Sequence, residues 1–598
     1  MLQQFGDIKL PDPEAFSKNM VKIAARSQQL VNDFLSRQMQ ADPTANPDPL
    51  NIGKAFLDMT TRMMQDPTKL AAAQMQLWQD YVSLWQNATM RWLGGGLAAP
   101  LAEPDQSDKR FKDPAWRENA IFDYIKQSYL LTARWMQKTV QDVDGLDDKT
   151  AKKVEFYTRQ FVDALAPTNF VATNPEVLKA TVESNGENLV RGLDNMLADL
   201  ERGKGQLAIK MTDMDKFKIG ENVAVSKGKI VAQTPLMQLI QYAPSTEKVY
   251  KRPLLIVPPW INKFYILDLR PENSFIKWAT DQGYTVFVIS WVNPDSKLAK
   301  KTFEDYMFEG ILAAIDAVEQ ASGEREMSII GYCLGGTLTA ATLAYMKAKG
   351  DDRIKAATFF TALVDFKEAG ELQVFIDEEQ LKSLEKRMEK DGYLDGKAMA
   401  TTFNMLRAND LIWSFVVNNY LLGKEPFPFD LLYWNSDSTR MPKAMHSFYL
   451  RKMYQENLLS KSGGIELGGV KIDLSTVDIP VIIVSAKEDH IAPWKGTYVA
   501  TQLYGGETRF LLGGSGHIAG IVNPPAPVKY QHWTNDKNPA KADDWLAGAE
   551  QHPGSWWPTW DAWLSKHSGA KVKARLPGEG KLKAIEDAPG SYVKVRAA

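Results

Sequence analysis

The chain has 598 residues, 44% of them hydrophobic and 24% charged, with a formal net charge of -2. That length suits about two to four domains of roughly 100–200 residues each, and the charge balance gives no sign of nucleic-acid binding. The single cysteine, Cys333, excludes an intramolecular disulfide and a multi-cysteine metal site.

Met1 to Leu10 lacks the basic stretch and apolar run of a secretory signal. No apolar run reaches the roughly 18 residues of a membrane span. A cytoplasmic protein is expected.

Residues 1–205 read as an all-helical N-terminal domain. Phe16, Met20, Ile23, Leu30 and Phe34 recur on one helical face. Trp78, Trp85 and Trp92 lie seven apart, with Leu77 and Leu84 beside the first two, a stripe that suits packing on the protein body or a second copy. It also suits a boundary between apolar and wet phases, where Trp is favoured. The stretch from Trp92 to Pro104 is rich in Gly, Pro and Ala and reads as a flexible break. Helices follow near 116–140, 149–165 and 174–201.

From 206 to 598 the pattern becomes α/β. Strands are expected at Leu254–Val257, Thr285–Ser290, Met327–Gly331, Ala356–Thr361, Val481–Ser485 and Thr508–Leu512. Helical stretches at 272–282, 303–320 and 335–348 lie between them. This alternation argues a mainly parallel sheet covered on both faces. It stops between 365 and 475, first helix-forming and then aromatic and Pro-rich, as in a cap inserted over an active site.

The strand from Met327 runs into Gly331-Tyr-Cys333-Leu-Gly335 and then a helix. This is the strand–turn–helix pattern of a nucleophile elbow, with Cys where Ser is usual. Side chains at positions 331 and 335 would clash as the chain reverses. A thiol at a helix N-terminus is favoured as thiolate.

The partners follow in the order nucleophile, acid, histidine. Asp489 comes after the strand Val481–Ser485. Of six histidines, His517 sits in a Gly-rich loop directly after the strand Thr508–Leu512. His517 is expected to take the proton of Cys333, with Asp489 orienting it. The oxyanion would be held by the backbone N–H of Leu334 and one from the loop after Val257. There Pro258 and Pro259 have no N–H, leaving Trp260 or Ile261. An acyl group on sulfur stays a thioester, so Cys favours onward transfer over ester hydrolysis.

These residues resemble those of the class I polyhydroxyalkanoate synthases. The likeness runs through Asp108-Lys-Arg-Phe-Lys-Asp-Pro-Ala-Trp116, Val257-Pro-Pro-Trp-Ile-Asn-Lys-Phe-Tyr-Ile-Leu-Asp268, Gly331-Tyr-Cys-Leu-Gly-Gly336, Tyr433-Trp-Asn-Ser-Asp437, Lys487-Glu-Asp-His490 and Gly514-Ser-Gly-His517. It implies an α/β-hydrolase fold with an inserted cap, working as a homodimer. It implies polymerisation of (R)-3-hydroxyacyl-CoA with release of CoA, and no metal or cofactor. It also implies attachment through the N-terminal domain to polyester granules and their phasin-like proteins.

In the family's scheme the aspartate matching Asp489 helps deprotonate the 3-hydroxyl, which differs from an orienting role. The position of His490 matches one thought to assist. His446 matches a family pattern and reads as structural in the cap. A thioesterase or depolymerase on the same fold is the rival, but aromatics in the insertion (Trp413, Phe427, Phe429, Tyr433 and Trp434) suit exclusion of water.

Overall fold

The protein is seen here as a computed structural model that describes residues 11–38, 50–92, 99–106 and 108–597, with the side chains of 31–38 and of Trp92 outside the description. The chain divides into two compact units. One comprises Met1–Asp213 with Phe403–Phe427, the other Met214–Thr402 with Pro428–Ala598.

The first unit is helical: α1 (Pro13–Gln38), α2 (Ile52–Gln65), α3 (Pro67–Trp92), α4 (Ala120–Gln141), α5 (Asp148–Ala164), α6 (Pro175–Glu183) and α7 (Glu187–Arg202). Short polar side chains start the later helices. Asn119, Asp147 and Asn174 each accept two backbone N–H groups of the first turn. The stretch 174–201, read as one helix, is two. Asn185 and Gly186 take left-handed backbone angles (φ 54° and 80°) and break it.

On α1, Phe16, Met20, Ile23 and Leu30 are half-buried among mostly exposed neighbours, as their spacing predicts. Phe34 lies outside the described side chains. On α3, Leu84 and Ala88 are buried, whereas Trp78 and Trp85 are 64% and 60% exposed. The Trp pair therefore does not pack on its own unit; Trp92 lies outside the described side chains. Of the expected break at 92–104, residues 93–98 lie outside the description. Beyond them Ala102 is buried, and its N–H donates to Gln127 Oε1 at 2.8 Å.

The second unit is built on an eleven-stranded sheet. Its strands are β1 (Gly228–Gln233), β2 (Met237–Tyr242), β3 (Leu254–Val257), β4 (Val286–Trp291), β5 (Met327–Tyr332), β6 (Ile354–Phe360), β7 (Val481–Ala486), β8 (Thr508–Gly513), β9 (Gln531–Asn535), β10 (Glu550–Pro553) and β11 (Glu586–Asp587). They lie in the order β10-β9-β8-β7-β6-β5-β3-β4-β2-β1-β11. The run from β4 to β8 is parallel throughout. Antiparallel strands finish both edges.

β3, β4, β5 and β7 are buried at every position, as the uninterrupted apolar runs of a doubly covered parallel sheet require. The crossovers include α8 (Phe275–Asp281), α9 (Ala313–Ser322) and α10 (Leu334–Ala348). α11 (Trp557–Leu564) adds Trp557 and Trp560 to a core that already holds Trp556. The α/β-hydrolase architecture expected from the sequence is present. Between 365 and 475 the regular alternation is absent, and 403–427 clusters with the helical unit.

Candidate active site

Cys333 is the one residue between β5 and α10, with φ 51° and ψ -121°. Such a backbone costs on the order of 1–3 kcal/mol for a non-glycine residue and must be imposed by its surroundings. Its N–H donates to Phe360 O at the end of β6 (2.9 Å), and its carbonyl accepts from the N–H groups of Gly336 (2.8 Å) and Thr337 (3.1 Å). The side chain is half-buried.

The glycines act through close approach, as expected. A Cβ on Gly331 would stand 2.5 Å from Gly336 Cα, and one on Gly335 would lie 2.6 Å from Pro258 O while overlapping Val257 O. Gly336 carries a requirement the sequence reading did not assign, because its Cβ would overlap that of Ala362.

Asp489 and His517 come from the loops after β7 and β8, neighbouring parallel strands. His517 Nδ1 lies 2.6 Å from Asp489 Oδ2, and both side chains are buried. Asp489 Oδ1 is occupied separately by the N–H groups of Ile491 (2.8 Å) and Ala492 (2.9 Å). Against a carboxylate, Nδ1 must be the donor, so Nε2 is the ring nitrogen left for Cys333.

Burial pulls the His517 imidazolium down. The charges of Asp489 and Cys333, with hydrogen bonds to both, outweigh it and push the group up to about 10. Tyr332 stacks beside the imidazole (ring centroids 6.0 Å apart) and its hydroxyl reaches His517 O at 3.4 Å. Trp556 and Trp557 fix the loop beyond, donating to Gly520 O (2.7 Å) and Ile521 O (2.9 Å). Sequence reasoning gave these tryptophans no role; the adjacent pair so near the C-terminus was the available signal.

The loop after β3 emerges beside the elbow, since β3 pairs with β5 through Val257 and Gly331. Trp260 and Ile261 are buried there. Among the described residues, the backbone N–H groups of Trp260, Ile261 and Leu334 have no partner, and Leu334 opens α10, where helix N–H groups are free.

His490 follows Asp489 and is half-buried; its carbonyl accepts the N–H of Glu371 at 3.4 Å. His446 lies in the short helix Lys443–Tyr449, buried, with Nδ1 unpartnered among the described residues, and burial lowers its pKa to about 4.

The aromatic cover differs from the sequence expectation. Trp413 and Phe427 belong to the helical unit, and Phe427 and Phe429 are exposed. Tyr433 and Trp434 are buried in the sheet unit's core cluster. Tyr332, Tyr449 and Tyr454 feel the charge of Cys333, and burial raises their phenols above the ordinary range. Among the described residues no group of three or more His, Cys, Asp or Glu is arranged to hold a metal ion. No described helix is long and apolar enough to cross a membrane.

Residues 107–279 match the family described as poly-beta-hydroxybutyrate polymerase (PhaC) N-terminus, and 253–524 match the α/β hydrolase fold. The chain is 49% identical over 588 residues to the poly(3-hydroxyalkanoate) polymerase subunit PhaC of Rhizobium meliloti (strain 1021), covering 98% of this chain and 96% of that one. It is 49% identical over 597 residues to the poly(3-hydroxyalkanoate) polymerase of Methylorubrum extorquens, 98% of each chain. It is 42% identical over 547 residues to the subunit PhaC of Cupriavidus necator, 90% of this chain and 91% of that one.

Proposed function

This chain belongs to the poly(3-hydroxyalkanoate) polymerase family and is an acyltransferase, and we propose that it polymerises (R)-3-hydroxyacyl-CoA through a covalent thioester on Cys333. His517 Nε2 takes the thiol proton, and the sulfur attacks the thioester carbonyl. The oxyanion accepts N–H bonds from Leu334 and from Trp260 or Ile261. The C–S bond to CoA breaks, and CoA leaves as the thiol with the proton held by His517. His517 then takes the proton of a 3-hydroxyl, whose oxygen attacks the acyl-Cys333 carbonyl. An ester forms and the Cys333 thiol is regenerated.

The observation that carries this reading is the buried contact of His517 Nδ1 with Asp489 Oδ2, with the charge of Cys333 acting beside that of Asp489 to raise the pKa of the same imidazole. It favours the orienting role for Asp489. One carboxylate oxygen is on His517 and the other on two backbone N–H groups, leaving neither free to act alone on a hydroxyl. Its neighbour His490 is assigned an assisting part. The helical unit, read from the sequence as residues 1–205, is assigned to polyester granules, their phasin-like proteins and dimer support. The exposed Trp78 and Trp85 favour the granule part. The 365–475 insertion is assigned as the cap.

The test is purified protein with (R)-3-hydroxybutyryl-CoA, following free CoA and asking whether the product is pelletable polyester or soluble acid. Polyester made by the native chain but not by Cys333→Ala is expected. Polyester from the alanine variant would remove the covalent mechanism. Soluble 3-hydroxybutyrate would mean a thioesterase on the same residues.

A further inference from the structure

The loop from Val257 to Lys263, which supplies Trp260 and Ile261, is gripped along its length by segments far away in the chain. Pro258 O accepts Trp291 Nε1 (2.8 Å), Trp260 O accepts Thr439 Oγ1 (2.6 Å), and Lys263 O accepts Trp434 Nε1 (2.8 Å). The far end is held by charge. Lys263 Nζ lies 2.7 Å from Asp437 Oδ1, with the two side chains 3% and 1% exposed. The same ammonium donates to Val593 O at 2.7 Å, and Asp437 Oδ2 accepts the hydroxyl of Tyr265 at 2.8 Å.

The last residues of the chain complete the arrangement. Val593 is fully buried. Tyr592 donates its N–H to Gln238 Oε1 and its hydroxyl to Thr234 O. Asn293 donates to Val595 O (3.2 Å) and accepts the N–H of Arg440 (3.0 Å). Arg596 lies over the Tyr433 ring at 5.0 Å and donates to its hydroxyl.

A buried ion pair is a poor device for stability alone, because apolar side chains of like volume stabilise as well or better. An ammonium, however, can hold a carboxylate and a carbonyl in fixed directions at once. We infer that Lys263, Asp437 and the C-terminal strap Tyr592–Arg596 form a latch that positions the oxyanion loop. Trp434–Arg440 then belongs to the fixed wall of the site, whatever the rest of the insertion does. These are positioning residues, and the inference rests on the proposed use of Trp260 or Ile261 as donors.

The oxyanion donors matter for acyl transfer but not for alkylation of Cys333, and Cys333 is the only thiol in the chain. The experiment therefore compares two rates in the full-length protein: acylation by (R)-3-hydroxybutyryl-CoA and carbamidomethylation by iodoacetamide. In Lys263→Met, acylation should fall by about tenfold or more at saturating substrate, with KM little changed and alkylation within about twofold of the native rate. Asn293→Ala, which loosens the strap without burying an unpaired charge, should show a smaller drop of the same kind, and decides the matter if Lys263→Met does not fold. Acylation held at the native rate would overturn the latch. Acylation and alkylation falling together would also overturn it, leaving a merely structural pair. Native protein that keeps its turnover after complete alkylation would instead sink the Cys333 mechanism itself.

Discussion

Asp489→Asn separates the two roles open to this carboxylate. In the native site Oδ1 accepts two backbone N–H groups and Oδ2 faces His517 Nδ1. An asparagine can satisfy the two N–H groups only with its carbonyl oxygen, which turns its NH2 toward His517. The reverse orientation sets NH2 against two donors and forfeits two bonds instead of one, each of about 1 kcal/mol or more. Nδ1 must then become the acceptor, and Nε2 carries the hydrogen and cannot take the thiol proton.

The same change at a serine triad costs roughly 10⁴ in kcat, or about 5 kcal/mol at 1.36 kcal/mol per decade. A similar loss is expected here, in the first acylation as much as in elongation. The assay is rapid-quench release of CoA from (R)-3-hydroxybutyryl-CoA with enzyme in excess, beside steady-state polymer formation. A native burst followed by failed elongation would refute the orienting role and place Asp489 on the 3-hydroxyl. The variant also tests the electrostatics. A His517 pKa raised to about 10 means that the folded state binds more protons than the unfolded state between about 6.5 and 10. Stability from this group is full below pH 6.5 and lost as pH rises toward 10. Asp489→Asn should flatten that limb in thermal-unfolding midpoints.

Cys333→Ser should retain at most slow turnover, because the acyl group would rest as an oxyester; a native rate of polymer formation would undo the thioester argument. Gly335→Ala forces a Cβ against Pro258 O and Val257 O, so turnover should fall about 100-fold or more, and a variant within a few fold of native would contradict the packing. His446, lowered to about 4 by burial, should make the fold less stable as pH falls from about 6.5 to 4, by up to about 3 kcal/mol. Urea midpoints at pH 7.5 and 5 should show that dependence reduced in His446→Met. Replacing the exposed Trp78 and Trp85 with Ser removes roughly 100 Å² or more of apolar surface at each. At about 25 cal/mol per Å², the fraction pelleting with preformed polyester should drop by tenfold or more; an unchanged fraction would end the surface-patch reading.

The elbow was legible because it is local: one apolar strand, one forced turn and one helix, written in ten consecutive residues from Met327 to Gly336. Asp489 and His517 were legible because each lies a few residues past a strand whose buried stretch, Val481–Ala486 or Phe510–Gly513, reads as an apolar run. The edges were not. β1 and β2 include Lys229, Gln238 and Gln241 among their apolar residues, and β9 and β10 carry Gln531, His532, Gln551 and His552, so neither pair has the run of a central strand. The latch was illegible for a different reason. Lys263, Asp437 and Val593 meet only through tertiary folding, and no periodicity marks a lysine that will be buried. The break of 174–201 at Ser184-Asn185-Gly186 was legible in principle, since Asn-Gly is a turn signal.

In the proposed cycle a single imidazole serves both half-reactions, and this orders them. His517 cannot accept the proton of a 3-hydroxyl until it has given the first proton to departing CoA. The acyl group therefore waits on Cys333 beside a neutral histidine, and during that interval any admitted water would be activated as readily as the hydroxyl. The outcome is decided by what surrounds the thioester. Tyr449 and Tyr454 lie within charge range of Cys333 and pack on Phe366, Tyr449 buried and Tyr454 half-buried, and Trp260 packs on Tyr449 from the oxyanion loop. Opening this cover by Tyr454→Ala should raise the share of soluble 3-hydroxybutyrate among the products; an unchanged ratio of acid to polymer would mean that water is excluded by other residues.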